Sequence, residues 1–262
     1  MIRVGILTSF DESIASHHAL HLLNHKNSNF ELVGIVKANA LPKKNAKFYR
    51  RKLKKALQIG LWGTLNGIKM RQWYGPDVEN QLECPPLRTI ATRHNVTCVF
   101  TDGLNSDETR KALRDLNVDV AVSLGNSFIA PSVFRIPRLG MINIHHEILP
   151  DYQNAQSVIW QLYNGSNQTG YTIHQIERKI DAGRILFQEH LPIRFADTLA
   201  STVSSTHANQ WNASAEGLRH TLENFETLLR SSKVQGRGCH YTTPSRKQFR
   251  IIEHNWSQLA QA

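Results

Sequence analysis

Short β-branched runs alternate with helix-period segments across most of the chain, and this alternation limits the fold more than any other feature. Residues 2–7 read as a buried strand, 12–25 as a helix with Ser9 and Glu12 in capping-box spacing, and 31–36 as a second strand. A third strand is expected at 95–101, a helix at 106–116, a fourth strand at 119–124, a fifth at 140–145 and a helix near 155–164. Strands separated by helices return parallel to one another, because a helical crossover carries the chain back over a face of the sheet. The expected fold class is therefore α/β: a Rossmann-like, mostly parallel sheet with helices on both faces. In such sheets a site lies beyond the carboxyl ends of the strands.

Past residue 167 the period changes. Residues 168–176 and 184–193 alternate polar and apolar about a turn at Asp181, Ala182 and Gly183, which reads as a hairpin with a long connection. Residues 198–230 read as helix, and the last thirty are polar. The expected division is a domain over 1–195 followed by a helical and polar extension over 196–262.

Composition narrows the classes. With 40% hydrophobic and 20% charged residues among 262, the chain can fill a core and disorder is not expected. No apolar run approaches the roughly 18 residues of a membrane span, and the first residues do not resemble a signal peptide, so a cytoplasmic protein is expected. Cys84, Cys98 and Cys239 are too few and too scattered for a disulfide framework or a four-cysteine zinc site, and Cys98 reads as a buried strand residue. His17, His21 and His25 recur every fourth residue on the first helix, but no further ligand is near, so an exposed stripe is expected and no metal. Neither G-x-G-x-x-G after the first strand, nor G-x-x-x-x-G-K, nor a G-x-S-x-G elbow is present.

Residues 43–55 carry Lys43, Lys44, Lys47, Arg50, Arg51, Lys52, Lys54 and Lys55. Tyr49, Leu53, Leu57, Leu61 and Leu65 follow at helical spacing, so a helix here is apolar on one face and basic on the other. Two readings of this insertion, 43–73, stay open. Its apolar stripe packs on the domain, or it meets a membrane surface or another anionic partner. The net charge of +10 predicts attraction to anions without choosing among them.

The chemistry concentrates in residues 140–150. Side chains two apart share a strand face, so Asn143 and His145 point the same way at the carboxyl end of their strand. An Asn amide donates without titrating, a His exchanges a proton near neutrality, and together they suit a developing oxyanion. Asp181, 36 residues on, supplies a carboxylate that could hold the imidazolium or steer protons.

Four motifs in order carry a resemblance: Asn143-Ile144-His145, Ile148-Leu149-Pro150, the run from Thr169 to His174, and the run from Asp181 to Leu186. Together they resemble the folate-dependent formyltransferase family, which includes glycinamide ribonucleotide, methionyl-tRNA and amino-sugar formyltransferases. The resemblance covers roughly residues 1–195 and is closest over 118–193. It implies transfer of a formyl group from 10-formyltetrahydrofolate to an amine, with Asn143 and protonated His145 stabilising the oxyanion and Asp181 supporting His145 and relaying a proton. It also implies a pterin site along Gly125, Asn126, Ser127, Phe128 and Ile129 and along the loop of Lys179, Ile180, Ala182 and Gly183. Two positions depart from the family pattern. Glu147 replaces a Ser and Asn154 a Gly, and both are expected to alter the wall near the acceptor.

The resemblance leaves the acceptor open. The loop after the first strand carries Asp11 and Glu12, which would repel the phosphate of glycinamide ribonucleotide. A basic insertion after the second strand is similar to the tRNA-meeting insertion of methionyl-tRNA formyltransferases. Those enzymes carry a carboxyl-terminal barrel, whereas the stretch after Phe195 reads first as helix. A nucleotide-linked amino sugar is therefore the expected acceptor. Methionyl-tRNA stands second, and a catalytically inactive binding protein on the same scaffold stands third.

Overall fold

A computed structural model describes residues 1–10, 13–25, 29–39 and 46–261. Its centre is a seven-stranded sheet of β1 (Ile2–Thr8), β2 (Phe30–Ala38), β3 (Thr97–Thr101), β4 (Val120–Leu124), β5 (Met141–His145), β6 (Gln168–Gln175) and β7 (Ile185–Pro192), in the order β3-β2-β1-β4-β5-β6-β7. The first five strands pair in parallel; β6 and β7 add an antiparallel hairpin to that edge. The mostly parallel α/β expectation holds.

The period of two in the strands divides the core between two layers. Val4, Ile6, Ile35, Val120 and Val122 face one layer, built on α1 (Ile14–Asn24), α4 (Leu87–His94), α8 (Leu199–Glu223) and α9 (Phe225–Arg230). Their neighbours Leu7, Val36 and Ala121 face the other, built on α5 (Asp107–Asp115) and α6 (Pro131–Phe134). A third cluster joins α2 (Ala46–Tyr74), α7 (Ile159–Tyr163), α8 and α10 (Arg246–Leu259) through Met70, Leu162, Val203, Phe249 and Ile252. Residues beyond 196 thus share the two apolar clusters that α8 enters.

Several local expectations are corrected. The first helix starts at Ile14 under a capping box of Ser13 and Ser16, while Ser9 instead donates to Asn126 Oδ1 at 2.7 Å. Glu12 and Asp11 lie outside the described residues. The histidine stripe is not uniformly exposed: His25 is, but His17 is half-buried and His21 meets Glu216 of α8 at 3.2 Å. Burial lowers the pKa of both His17 and His21. Cys98 is only partly buried, because β3 is the edge strand. The helix near 155–164 shrinks to α7, since Val158 turns the chain with φ 68° and ψ −47° and Ile159 N bonds back to Ser157 O. The long helix after 198 breaks at Asn224 into α8 and α9. Helices α3 (Pro76–Glu79), α4 and α10 carry no expectation above. In α10, Phe249, Ile252, Trp256 and Leu259 form a stripe that the polar composition hides.

Helix α2 is broken at Gly60, whose φ of 72° and ψ of 174° only glycine adopts at little cost. Among the described residues no helix is long and apolar enough to cross a membrane.

Candidate active site

Between β1 and β4 the strand order reverses direction, and a crevice opens there at the carboxyl ends. The cavity measures about 990 Å³. Strand β5 delivers Asn143 and His145 into it, because their intervening neighbour Ile144 is buried in the core. The hairpin brings Asp181 and His174 to the same corner. His145 Nδ1 and His174 Nε2 each lie 3.9 Å from a different oxygen of the Asp181 carboxylate.

The hydrogen bonds assign the protons. His145 Nε2 donates to the carbonyl of Tyr152 at 2.9 Å, which can only accept, so Nδ1 is the nitrogen free to gain or lose a proton beside Asp181. His174 Nδ1 donates to the carbonyl of Gln175 at 2.9 Å, which leaves Nε2 to accept from the Asn143 amide at 3.4 Å. One hydrogen of that amide is thereby committed and the other remains for the cavity. Burial first, then the neighbouring His145, push the His174 pKa down, so His174 is the neutral member of the pair. The four motifs include His174 but do not mark it as the anchor of Asn143; the pairing of the two residues across β5 and β6 does.

Asp181 and Asn154 both adopt left-handed backbone, φ 51° and 52°. Asn and Asp tolerate that region better than other side chains. The main-chain N–H of Asn154 donates to Asp181 Oδ2 at 3.0 Å, and Gln153 Nε2 donates to the Asp181 carbonyl at 3.0 Å. Asn154 is thus a backbone-compatible substitute for a glycine, and it does line the cavity. Glu147 does not. It is 1% exposed, meets the Gln161 amide, and burial raises its carboxyl pKa well above the usual range. The expectation that Glu147 alters the acceptor wall is corrected: the chain turns it into the core behind the cavity.

The loop after β4 forms another wall. Gly125, Asn126, Ser127, Phe128 and Ile129 all line the cavity, as do Lys179 and Ile180 opposite. Ala182 and Gly183 do not; a Cβ on Gly183 would collide with the Gln175 carbonyl, so that glycine packs on the hairpin. The Asn126 side chain ties the loop to the ends of β1 and β4, donating to Leu7 O at 2.7 Å and Ser123 Oγ at 3.0 Å while accepting from Ser9. Asn105 clamps the far end, donating to Phe128 O at 3.0 Å and accepting from Ala130 N at 2.6 Å. The wall is therefore held before any ligand arrives, while Phe128 and Ile180 stay more than half exposed.

Helix α8 and the end of α2 close the remaining side with His207, Trp211, Arg71 and Tyr74. His146 lines the cavity beside them; His146 and Ser214, Ser214 and His18, and His207 and Gln210 bond at 3.1, 3.0 and 2.9 Å. The chain after α9 does not line the cavity. It runs along β7 through Lys233 and Ile185, then along the 150–154 loop, where Tyr241 stacks on Tyr152 and takes the Asn154 amide.

Residues 71–216 match the formyl transferase family. The chain belongs to that family. It is 30% identical over 180 residues to the methionyl-tRNA formyltransferase of Geobacter metallireducens, a match covering 68% of this chain and 56% of that one. The chain thus spans little more than half the length of that curated relative. Among solved structures, glycinamide ribonucleotide transformylase 1 from Symbiobacterium toebii superposes with a TM-score of 0.57 at 14% identity, over 90% of this chain and 95% of that one. An N-formyltransferase from Helicobacter canadensis, in complex with folinic acid and dTDP-3-aminofucose, gives 0.53 at 16% identity, over 98% and 79%. At these identities the superpositions establish the shared fold. Among the described residues no group of three His, Cys, Asp or Glu side chains is placed to hold a metal ion.

Proposed function

We propose that this chain is an N-formyltransferase that moves a formyl group from 10-formyltetrahydrofolate to the primary amine of a nucleotide-linked amino sugar. The observation that carries the reading is the corner where Asn143, His145 and Asp181 converge in one cavity. The cavity fits the donor. Its prefixed 125–129 wall offers main chain and the apolar faces of Phe128 and Ile129, and Lys179 and Ile180 face it, as a flat bicyclic ring system requires. The donor supplies an activated formyl carbon.

The chain's residues do the rest. The free hydrogen of the Asn143 amide and a proton on His145 are aimed where negative charge collects on the formyl oxygen. Donors fixed in this way are commonly worth about 10²–10³ in rate each. Asp181 stabilises the imidazolium and accepts the proton that the attacking amine must shed; that proton then passes to N10 of tetrahydrofolate as its bond to the formyl carbon breaks. Neutral His174 keeps the Asn143 amide turned donor-side inward. Holding both substrates in one cavity lowers the barrier further.

The amino-sugar acceptor is supported by the Helicobacter canadensis enzyme, which aligns with nearly the whole chain and is complexed with dTDP-3-aminofucose. Arg71 and Lys179 on the rim give cationic contacts for a diphosphate. Methionyl-tRNA is the second reading, favoured by the 30% identity with a methionyl-tRNA formyltransferase and by the basic insertion. Release of tetrahydrofolate, followed by absorbance with amino-sugar nucleotides and methionyl-tRNA in parallel, separates them. Release dependent on the sugar supports the proposal, release dependent on tRNA replaces its acceptor, and no release with either overturns the transferase reading.

A further inference from the structure

Residues 43–73 hold ten of the chain's Lys and Arg and none of its Asp or Glu. Ten is also the formal net charge, so outside this segment the chain is electrically balanced. The helix that carries the charge also carries exposed apolar side chains. Tyr49, Leu53 and Leu57 are 56, 62 and 76% exposed, and beyond the break at Gly60 so are Trp62, Leu65 and Ile68 at 55, 42 and 55%. Single exposed leucines are ordinary; six large apolar side chains on one helix are not. The same helix buries Met70 completely and seats Trp73 against Phe249, so its inner end has found its partner within the chain.

We propose that the outer part of α2 is a docking surface for an anionic lipid bilayer. Tyr49, Leu53 and Leu57 succeed one another every fourth residue and share a face. In the sequence Lys47, Arg51, Lys54 and Lys55 fall on the other side of the helical wheel. A helix of this make-up lies in the interface plane, its apolar row at the acyl boundary and its cations among the headgroup phosphates. Charge decides against the other occupants. A second copy would set one tenfold-positive segment against another. An RNA would satisfy the cations and leave the leucine row without an apolar partner. The absence of acidic residues from the segment means that nothing within it screens its pull on an anionic surface. Arg71 and Tyr74, at the carboxyl end of the same helix, line the cavity, so the docking element and the active site are built on one piece of chain.

Co-sedimentation of the full chain with phosphatidylcholine vesicles, with and without roughly a third phosphatidylglycerol, tests this without reference to catalysis. The expected result is partitioning at least roughly ten-fold stronger onto the anionic vesicles, weakened by salt. The double substitution Leu53→Ser and Leu57→Ser is expected to lose roughly ten-fold of that partitioning while turnover of soluble substrates stays unchanged. Leu57→Trp, which adds interfacial apolar area and does not depend on tolerating a polar change, is expected to strengthen it. Equal partitioning onto both vesicle types overturns the proposal. So does unchanged binding in all the variants, which would leave bare charge attraction. Retention of tRNA without vesicle binding would replace the bilayer by a nucleic acid and overturn it too.

Discussion

Two groups of histidines flank the cavity, and they are built to opposite ends. In the Asp181 corner, His145 and His174 share one carboxylate at 3.9 Å, and one His145 nitrogen is left facing it. On the α8 side, His18, His146 and His207 are held by neutral groups. His18 Nδ1 donates to Ile14 O at 2.8 Å, so its Nε2 accepts from Ser214, whose oxygen in turn accepts from His146. His207 donates to Gln210 and accepts from Trp211 Nε1 at 3.2 Å. His18 and His207 make these bonds only as neutral rings, because each uses one ring nitrogen as an acceptor. Burial accordingly drives His18 down to about 3 and His207 down to about 4, and lowers His146 well below its ordinary value. His145 and His146 are adjacent in sequence, yet the second ring nitrogen of His145 faces the Asp181 carboxylate, whereas His146 is buried among neutral groups and other histidines.

The largest effect expected to test this contrast is at the corner. Asp181→Asn keeps the left-handed backbone and His145→Ala removes the imidazole. Each should lower kcat by about 10²–10⁴, with the thermal midpoint nearly unchanged. A loss under about ten-fold in steady-state turnover would take that residue out of the proton path. Asn143→Ala should cost about 10²–10³ in kcat, the usual value of one fixed donor to an oxyanion. A rise in KM alone would instead make Asn143 a binding residue.

On the other side the losses should fall on stability. Gln210 is fully buried, donates to Thr169 Oγ1 and Gly170 O at 2.9 and 2.7 Å, and accepts from Ser157 and His207. Gln210→Ala should destabilise by roughly 1–3 kcal/mol in urea unfolding, with kcat per folded molecule close to unchanged. A large fall in kcat at full stability would dissolve the distinction between the two groups.

Acid sharpens it further. His18 and His207 have folded pKa values below the ordinary 6.5, so the unfolded chain binds their protons first. Their contribution to stability is complete above about pH 6.5 and is lost as the pH falls toward about 4 and 3. Between pH 6 and 5 each should remove about 1 kcal/mol per pH unit, measured as the fall in urea unfolding free energy. A flat profile there would mean that these rings are not neutral.

The smallest effect concerns the tail. Gln235 donates to the Gly183 carbonyl at 2.7 Å and accepts from Gln153, whose amide also holds the Asp181 carbonyl. Gln235→Ala should lower kcat by a few-fold and leave KM for the donor alone. Unchanged kcat would make this stretch a strap with no bearing on the corner.

Much of the fold was legible because its signals are local. Short β-branched runs mark β1, β4 and β5, and the period of two within a strand puts Asn143 and His145 on one face, so this half of the corner needed no tertiary information. The helix start was misplaced for a matching reason. Ser9 and Ser13 both suit a cap, and only the approach of Asn126 from more than a hundred residues away shows that Ser9 is already engaged. Glu147 sits four residues after Asn143, but nothing local says that the chain turns it inward toward Gln161.

What the sequence determined by itself was the alternation that makes a parallel sheet, the Asn143 and His145 pair at a strand end, and an amphipathic basic helix after β2. Only the tertiary structure decided that Asp181 lies beside both His145 and His174, that the Tyr152 carbonyl engages Nε2 of His145 and leaves Nδ1 facing Asp181, and that His146 is buried among neutral partners. Those facts depend on groups that the hairpin and the 150–154 loop bring together across long stretches of chain, and a periodic pattern records the face a residue points from, not what it will find there. The same reason separates the two ends of α2. Its stripe announced a face that seeks cover, and packing showed that α8 and α10 cover the inner end while Leu53 and Leu57 stay in water.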